Sequence, residues 1–201
     1  MLFSSKNLVK KITTTEKNIY LTFDDGPCKL TIDVLNLLEK YNAKATFFVI
    51  GTKADLHPDI IEQTLNAGHS IYSHSIDHDY SNYFKSDKKI SSWIDASMNH
   101  LEKLIGKKSV FFRPPAGIIT PPLLRATAQK NIQIILWNTR FYDSVWALTQ
   151  AKVNTYLHRA SAGDIILLHD AQKNKNEKVF LTSLEYLLEQ LANKNYKFYA
   201  L

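Results

Sequence analysis

The sequence predicts an α/β protein built on a parallel sheet. Apolar runs of strand length alternate with segments of helical period along almost the whole chain. The runs are rich in Ile, Val, Phe and Tyr, as strands buried on both faces are. The chain has 201 residues, 45% of them hydrophobic and 22% charged, which suffices for one domain with a substantial core.

The expected strands are 18–23, 44–50, 69–73, 109–113, 133–137, 164–168 and 196–201. The expected helices lie between them. Segment 31–41 repeats Ile32, Leu35, Leu38 and Tyr41 near helical spacing. Segment 58–67 opens on Pro58, which a first helical turn accepts, and stops before Gly68. Segment 89–105 stops at Gly106, and 122–129 and 149–161 follow. Segment 177–193 carries Phe180, Leu184, Leu187, Leu188 and Leu191 on one stripe. Strands alternating with helices imply crossover connections. The pattern fits an open doubly wound sheet and an incomplete barrel equally.

Composition narrows the function classes. Cys28 is the single cysteine, so no intramolecular disulfide forms and a reducing compartment fits. The net charge is +6 with lysines spread along the chain, and no interleaved aromatic-basic motif reads nucleic acid. The charge suits a solvated surface, an anionic glycan or peripheral contact with a membrane. No apolar stretch approaches the roughly 20 residues of a transmembrane helix. The start offers only Met1, Leu2 and Phe3 as an apolar run, so no secretory signal is visible and a cytoplasmic location is expected, with periplasmic or cell-surface action kept open. Oligomeric state leaves no mark on the sequence.

Five polar segments follow five of the expected strands. Thr22-Phe23-Asp24-Asp25-Gly26-Pro27 places two carboxylates together, where one can ligate a cation while the other accepts a proton. Asp-Gly-Pro is also ordinary turn chemistry. His74-Ser75-Ile76-Asp77-His78 spaces two histidines four apart, which on a helical turn brings both imidazoles to one metal. A carboxylate with two neutral imidazoles suits zinc with an open position for water. In Phe112-Arg113-Pro114-Pro115-Ala116-Gly117 the prolines stiffen the loop, the guanidinium can hold a carboxylate bidentately, and a following N–H can face an oxyanion. Segment 137–143 ends on Asp143, and Ile166-Leu167-Leu168-His169-Asp170 ends the sixth strand. Each alone has a plainer reading: a polar turn, two surface histidines, a strand ending in a rigid loop, a structural histidine at a strand end. Their shared place beyond C-terminal strand ends favours one site assembled from remote parts of the chain.

Taken in order, TFDDGP, KATFFVIG, HSIDH, RPPAG and LLHD resemble the motifs of the polysaccharide deacetylases, the NodB-homology or carbohydrate esterase family four. The resemblance runs from about residue 18 to 201, leaving 1–17 as an N-terminal extension. It implies a single-domain distorted (β/α) barrel with about seven parallel strands. It implies a divalent metal, Zn2+ foremost, with Co2+ or Ni2+ as substitutes. By the same resemblance Asp25, His74 and His78 are the ligands, Asp24 the base and Arg113 its orienting partner. The N–H of Ala116 becomes the oxyanion donor, His169 the acid, Asp143 its support, and Leu167 or Leu168 the wall of the acetyl pocket. The implied reaction is removal of N-acetyl groups from the amino sugars of an N-acetylated glycan or glycolipid.

Two departures stand out. Ala116 replaces an aromatic residue, and the fourth motif carries Arg140 and Ser144 where the family has an aspartate and a tryptophan. Tyr142 and Trp146 are candidate sugar-stacking residues, as are Tyr80, Tyr83, Phe84 and Phe141. Other functions consistent with the sequence are a deacylase or deformylase of a lipid-linked sugar at a membrane surface, a catalytically weak glycan-binding protein, and a hydrolase of non-sugar amides.

Overall fold

The computed structural model describes residues 7–172 and 176–201. The Met1-Leu2-Phe3 run and the rest of residues 1–6 lie outside the described residues.

Among the described residues nine strands form one sheet. They are β1 (Leu8–Val9), β2 (Asn18–Asp24), β3 (Ala45–Val49), β4 (Ser70–Ser73), β5 (Phe111–Phe112), β6 (Gln133–Ile135), β7 (Thr139–Arg140), β8 (Ile165–His169) and β9 (Lys197–Phe198). The order is β1-β6-β5-β4-β3-β2-β8-β7, with β9 paired to β2, and every strand pair is parallel. Strands β6 and β7 stand near opposite ends of this order, yet only Leu136, Trp137 and Asn138 separate them. The sheet therefore curls round onto a single stretch of chain, which is the expected distorted barrel.

The seven predicted strands are all present, and β1 and β7 are additional. Two residues carry no readable period, so neither was visible beforehand. The segment read as an extension is partly woven into the barrel. Its Leu8 and Val9 pair with Ile134 and Ile135, and Ile12 N–H donates to Gly163 carbonyl at 2.9 Å.

Among the described residues seven α-helices wrap the sheet: α1 (Lys29–Lys40), α2 (Gly51–Leu56), α3 (Pro58–Asn66), α4 (Asp87–Ile105), α5 (Pro121–Gln129), α6 (Gln150–Leu157) and α7 (Glu177–Asn193). Their ends follow local chemistry. Thr120 and Thr149 cap α5 and α6 with side-chain oxygens. Gly106 ends α4 in the left-handed conformation, φ 67°. The apolar stripe of α7, Phe180 to Leu191, is fully buried, each side chain contributing roughly 1.5–3 kcal/mol of transfer free energy.

Strand alternation splits the core. Ile19, Leu21 and Phe23 of β2, with Ile166 and Leu168 of β8, face α1, α6 and α7. The alternate positions face inward, where Phe48, Ile135 and Ile165 meet Tyr20, Tyr72 and Phe111. At the C-terminal ends of the strands, this inner face carries polar groups.

Candidate active site

At the end of β2 the chain turns sharply, with Asp25 in the left-handed region at φ 72°. The turn separates the two carboxylates. Asp24 is 2% exposed and lies beside Arg113, whereas Asp25 is part-exposed and faces two histidines. His78 Nε2 stands 3.2 Å and His74 Nε2 3.5 Å from Asp25 Oδ1. One donor atom from each of these residues lies within 4.8 Å of the others. That same Oδ1 is buried without a hydrogen-bond partner. Burial pushes the Asp25 carboxyl up, but the close His78 imidazole and the pull of His74 and His169 outweigh it and hold it below its ordinary range. His74 Nδ1 contacts the Arg113 carbonyl oxygen at 2.8 Å. As donor there, His74 keeps the Nε2 lone pair for a cation. The three residues fit a divalent metal.

The histidine spacing works differently from expectation. Residues 74–79 form an irregular loop, not a helical turn. Ser75 at φ 72° and His78 at φ 54° fold the loop back so that the imidazole centroids come within 5.0 Å.

Arg113 is fully buried at the end of β5. Nη1 donates to Asp24 Oδ1 and to Thr22 Oγ1, each at 2.7 Å, while Nε and Nη2 donate to the carbonyls of Ile135 and Leu136 at 3.0 Å. The guanidinium is stacked 3.9 Å from the Phe48 ring centroid. It grips Asp24 by one oxygen rather than bidentately, because its other N–H groups serve the backbone. Asp24 Oδ2 is thereby turned toward His74, 3.7 Å from Nε2.

Strand β8 stands beside β2, with His169 the register partner of Asp24. Asp143 takes His169 Nδ1 at 3.0 Å on one oxygen and the His169 backbone N–H at 2.8 Å on the other. Burial alone would lower the imidazole pKa. The Asp143 hydrogen bond and charge, with Asp24 and Asp25 adding, overcome that and push it up to about 9.

Eight non-glycine residues among those described have positive φ. Three are asparagines just past α1, α5 and α7. The other five, Asp25, Ser75, His78, Ala116 and Tyr142, all follow the C-terminal ends of strands around this cluster. Backbone strain concentrated in this way marks a functional rim.

Comparison with known proteins gives the family. The polysaccharide deacetylase family model matches residues 11–135. A peptidoglycan-N-acetylglucosamine deacetylase of Bacillus cereus is 34% identical over 94% of this chain and 88% of its own length. The chain belongs to the polysaccharide deacetylase family. The peptidoglycan-N-acetylmuramic acid deacetylase PdaA of Bacillus subtilis is 31% identical over 92% of this chain and 70% of its own. A crystal structure of a peptidoglycan N-acetylglucosamine deacetylase superposes with TM-score 0.86 at 26% identity, covering 97% of this chain and 91% of that one.

The remaining predicted residues of the deacetylase divide. Leu167 is the register partner of Thr22 and shares the inner face with Asp24 and His169. Leu168 does not line the site: it points outward into the core beneath the helices, because successive strand residues face opposite ways. Ala116 carries the first backbone N–H after Arg113, since Pro114 and Pro115 have none. Its loop is pinned by Tyr83 Oη, which donates to the Pro115 carbonyl at 3.0 Å, and by Gly117, where a Cβ would overlap the Trp137 ring. Tyr142 and Trp146 are exposed with ring centroids 5.9 Å apart, and Tyr80 and Phe84 are exposed too. Tyr83 and Phe141 are buried and serve packing.

Sequence reasoning missed the support of the deacetylase site. Helix α2 was not foreseen, yet its start ties together the two loops that carry Asp25 and His74 with His78. Gly51 and Thr52 N–H donate to the carbonyls of Ser75 and Ile76, and Ile50 N–H to that of Gly26. Lys53 Nζ donates to the Asp25 carbonyl at 2.7 Å. Behind the turn, the buried Asp170 carboxyl accepts from Thr31 Oγ1 at 2.6 Å and lies against Gly26, where a Cβ would collide with it. Burial pushes its pKa up to about 7.

Proposed function

We propose that this polysaccharide deacetylase cleaves the acetamide of N-acetylated sugars in peptidoglycan and uses zinc. The observation that carries the reading is one open cluster, Asp25, His74 and His78 around a partnerless carboxylate oxygen, flanked by Asp24 on Arg113 and by His169 on Asp143. One carboxylate and two imidazoles suit zinc with a position left for water or substrate. Zinc held there would acidify a water and polarise the acyl oxygen.

The chain's own groups supply the proton transfers. Asp24, fixed through Oδ1, takes the proton of the attacking water on Oδ2. The Ala116 N–H donates to the oxyanion as the water oxygen bonds to the carbonyl carbon. His169, protonated and with Nδ1 held by Asp143, delivers its Nε2 proton to the sugar nitrogen as the C–N bond breaks. Acetate and a free amino sugar leave.

Support for peptidoglycan comes from the B. cereus and B. subtilis relatives, whose names give that substrate. Such a polymer favours action at the cell surface over the cytoplasm. Among the described residues no helix is long and apolar enough to cross a membrane.

The test is acetate release from peptidoglycan fragments by protein stripped of metal and then reloaded. Release that stops on chelation and returns best with zinc supports the reading. Release that persists after complete metal removal overturns it.

A further inference from the structure

On β7, next to the strand that carries His169, stands a cation with no carboxylate partner among the described residues. Arg140 sits on β7 as the register partner of Leu167 on β8. Register partners on neighbouring strands point to the same face, so Arg140 shares the inner face with Leu167, Thr22, Asp24 and His169. Its neighbours confirm the parity. Thr139 and Phe141 are buried, Phe141 in the outer core, whereas Arg140 and Tyr142 are exposed.

The guanidinium is held in place without being neutralised. Nη2 donates to Tyr142 Oη at 2.6 Å, and the group stacks 4.1 Å from the Tyr142 ring centroid. Among the described residues Arg140 forms no ion pair. The nearby Asp143 carboxylate is 1% exposed and committed on both oxygens to His169. Lys152 Nζ fixes the turn from beneath by donating to the carbonyls of Phe141 and Ala147. A stacked, anchored, solvent-facing guanidinium is organised to receive a planar anion. The rings of Tyr142 and Trp146 beside it offer faces to a sugar.

We infer that Arg140, with Tyr142 and Trp146, forms a subsite for a carboxylate borne by the glycan next to the acetamide that is cleaved. This rests on the deacetylase reading and sharpens it: the preferred substrate is an acidic N-acetylated glycan, as muramic acid with its lactyl carboxylate provides. The basic charge of the chain suits the same class of ligand.

The experiment compares an N-acetylmuramic-acid oligosaccharide carrying the free lactyl carboxylate with its methyl ester, on zinc-loaded wild type, Arg140→Ala and Arg140→Lys. Wild type should prefer the acid by about tenfold in kcat/KM, the scale of one charge-assisted contact. The preference should fall with rising salt, collapse toward unity in Arg140→Ala and return in part in Arg140→Lys. A peptide-bearing fragment, with its lactyl group amidated, shows whether a peptide carboxylate serves instead. Equal treatment of acid and ester by wild type, or an unchanged preference in Arg140→Ala, overturns the subsite. Calorimetric binding of the acid and ester to zinc-loaded Asp24→Asn protein shows the same preference without turnover. A chain that releases no acetate from any of these sugars would therefore fail the deacetylase reading while the subsite is still judged on its own.

Discussion

His74 and His169 end parallel strands of one barrel, and each holds Nδ1 in a hydrogen bond, but the partners differ. His74 meets a neutral carbonyl, that of Arg113, in a fully buried position. Burial lowers its pKa even against the pull of Asp24 and Asp25, so it stays neutral and keeps Nε2 for a metal. His169 meets the Asp143 carboxylate and is pushed up to about 9, so it holds a proton to give away. In the proposed mechanism one half of the site binds the cation and the other delivers the proton. The same side chain serves both because the group behind the ring decides its charge.

Asp24 stands between the halves, and replacing it separates them most sharply. Asp24→Asn should retain the metal held by Asp25, His74 and His78 while turnover falls at least about a hundredfold, as expected for a general base. Metal content and acetate release on the same sample check this. Near-wild-type turnover would remove Asp24 from the role.

Asp143→Asn tests the proton-delivering half. With a pKa near 9, His169 keeps its proton through neutral pH and loses it as pH rises past about 9, so activity should fall on that alkaline side. Without Asp143 the pKa drops and the falling limb moves to lower pH, costing about twofold in kcat near pH 8 for a pKa displaced by about one unit and about tenfold for about two. A limb that stays in place would show that another group governs it.

Lys53 tests the metal-holding half from a distance. Lys53→Met removes the tie to the Asp25 carbonyl and should weaken metal affinity by roughly tenfold, as outlying supports of metal ligands do. Competition with a chelator measures it. The position of the alkaline limb should not follow.

The cluster was legible because the proposed chemistry needs particular side chains at strand ends, and Asp24, Asp25, His74, His78, Arg113 and His169, which the structure brings together, stand there in the sequence. The strands that carry them have long apolar runs and were equally plain. What escaped has no local period. Strands β1 and β7 span two residues each, and α2 is six residues of mixed polarity that matter through their backbone N–H groups. The fold of the His74–His78 loop depends on left-handed Ser75 and His78, which spacing alone does not reveal. The orientation of Leu168 was within reach: if His169 faces the site, strand alternation turns Leu168 away.

The division of labour between the histidines is tested most directly by measuring metal content and turnover together in His74→Ala and His169→Ala. The account predicts that His74→Ala loses both, and that His169→Ala keeps its metal and loses turnover. Full metal occupancy in His74→Ala, or loss of metal in His169→Ala, would contradict it.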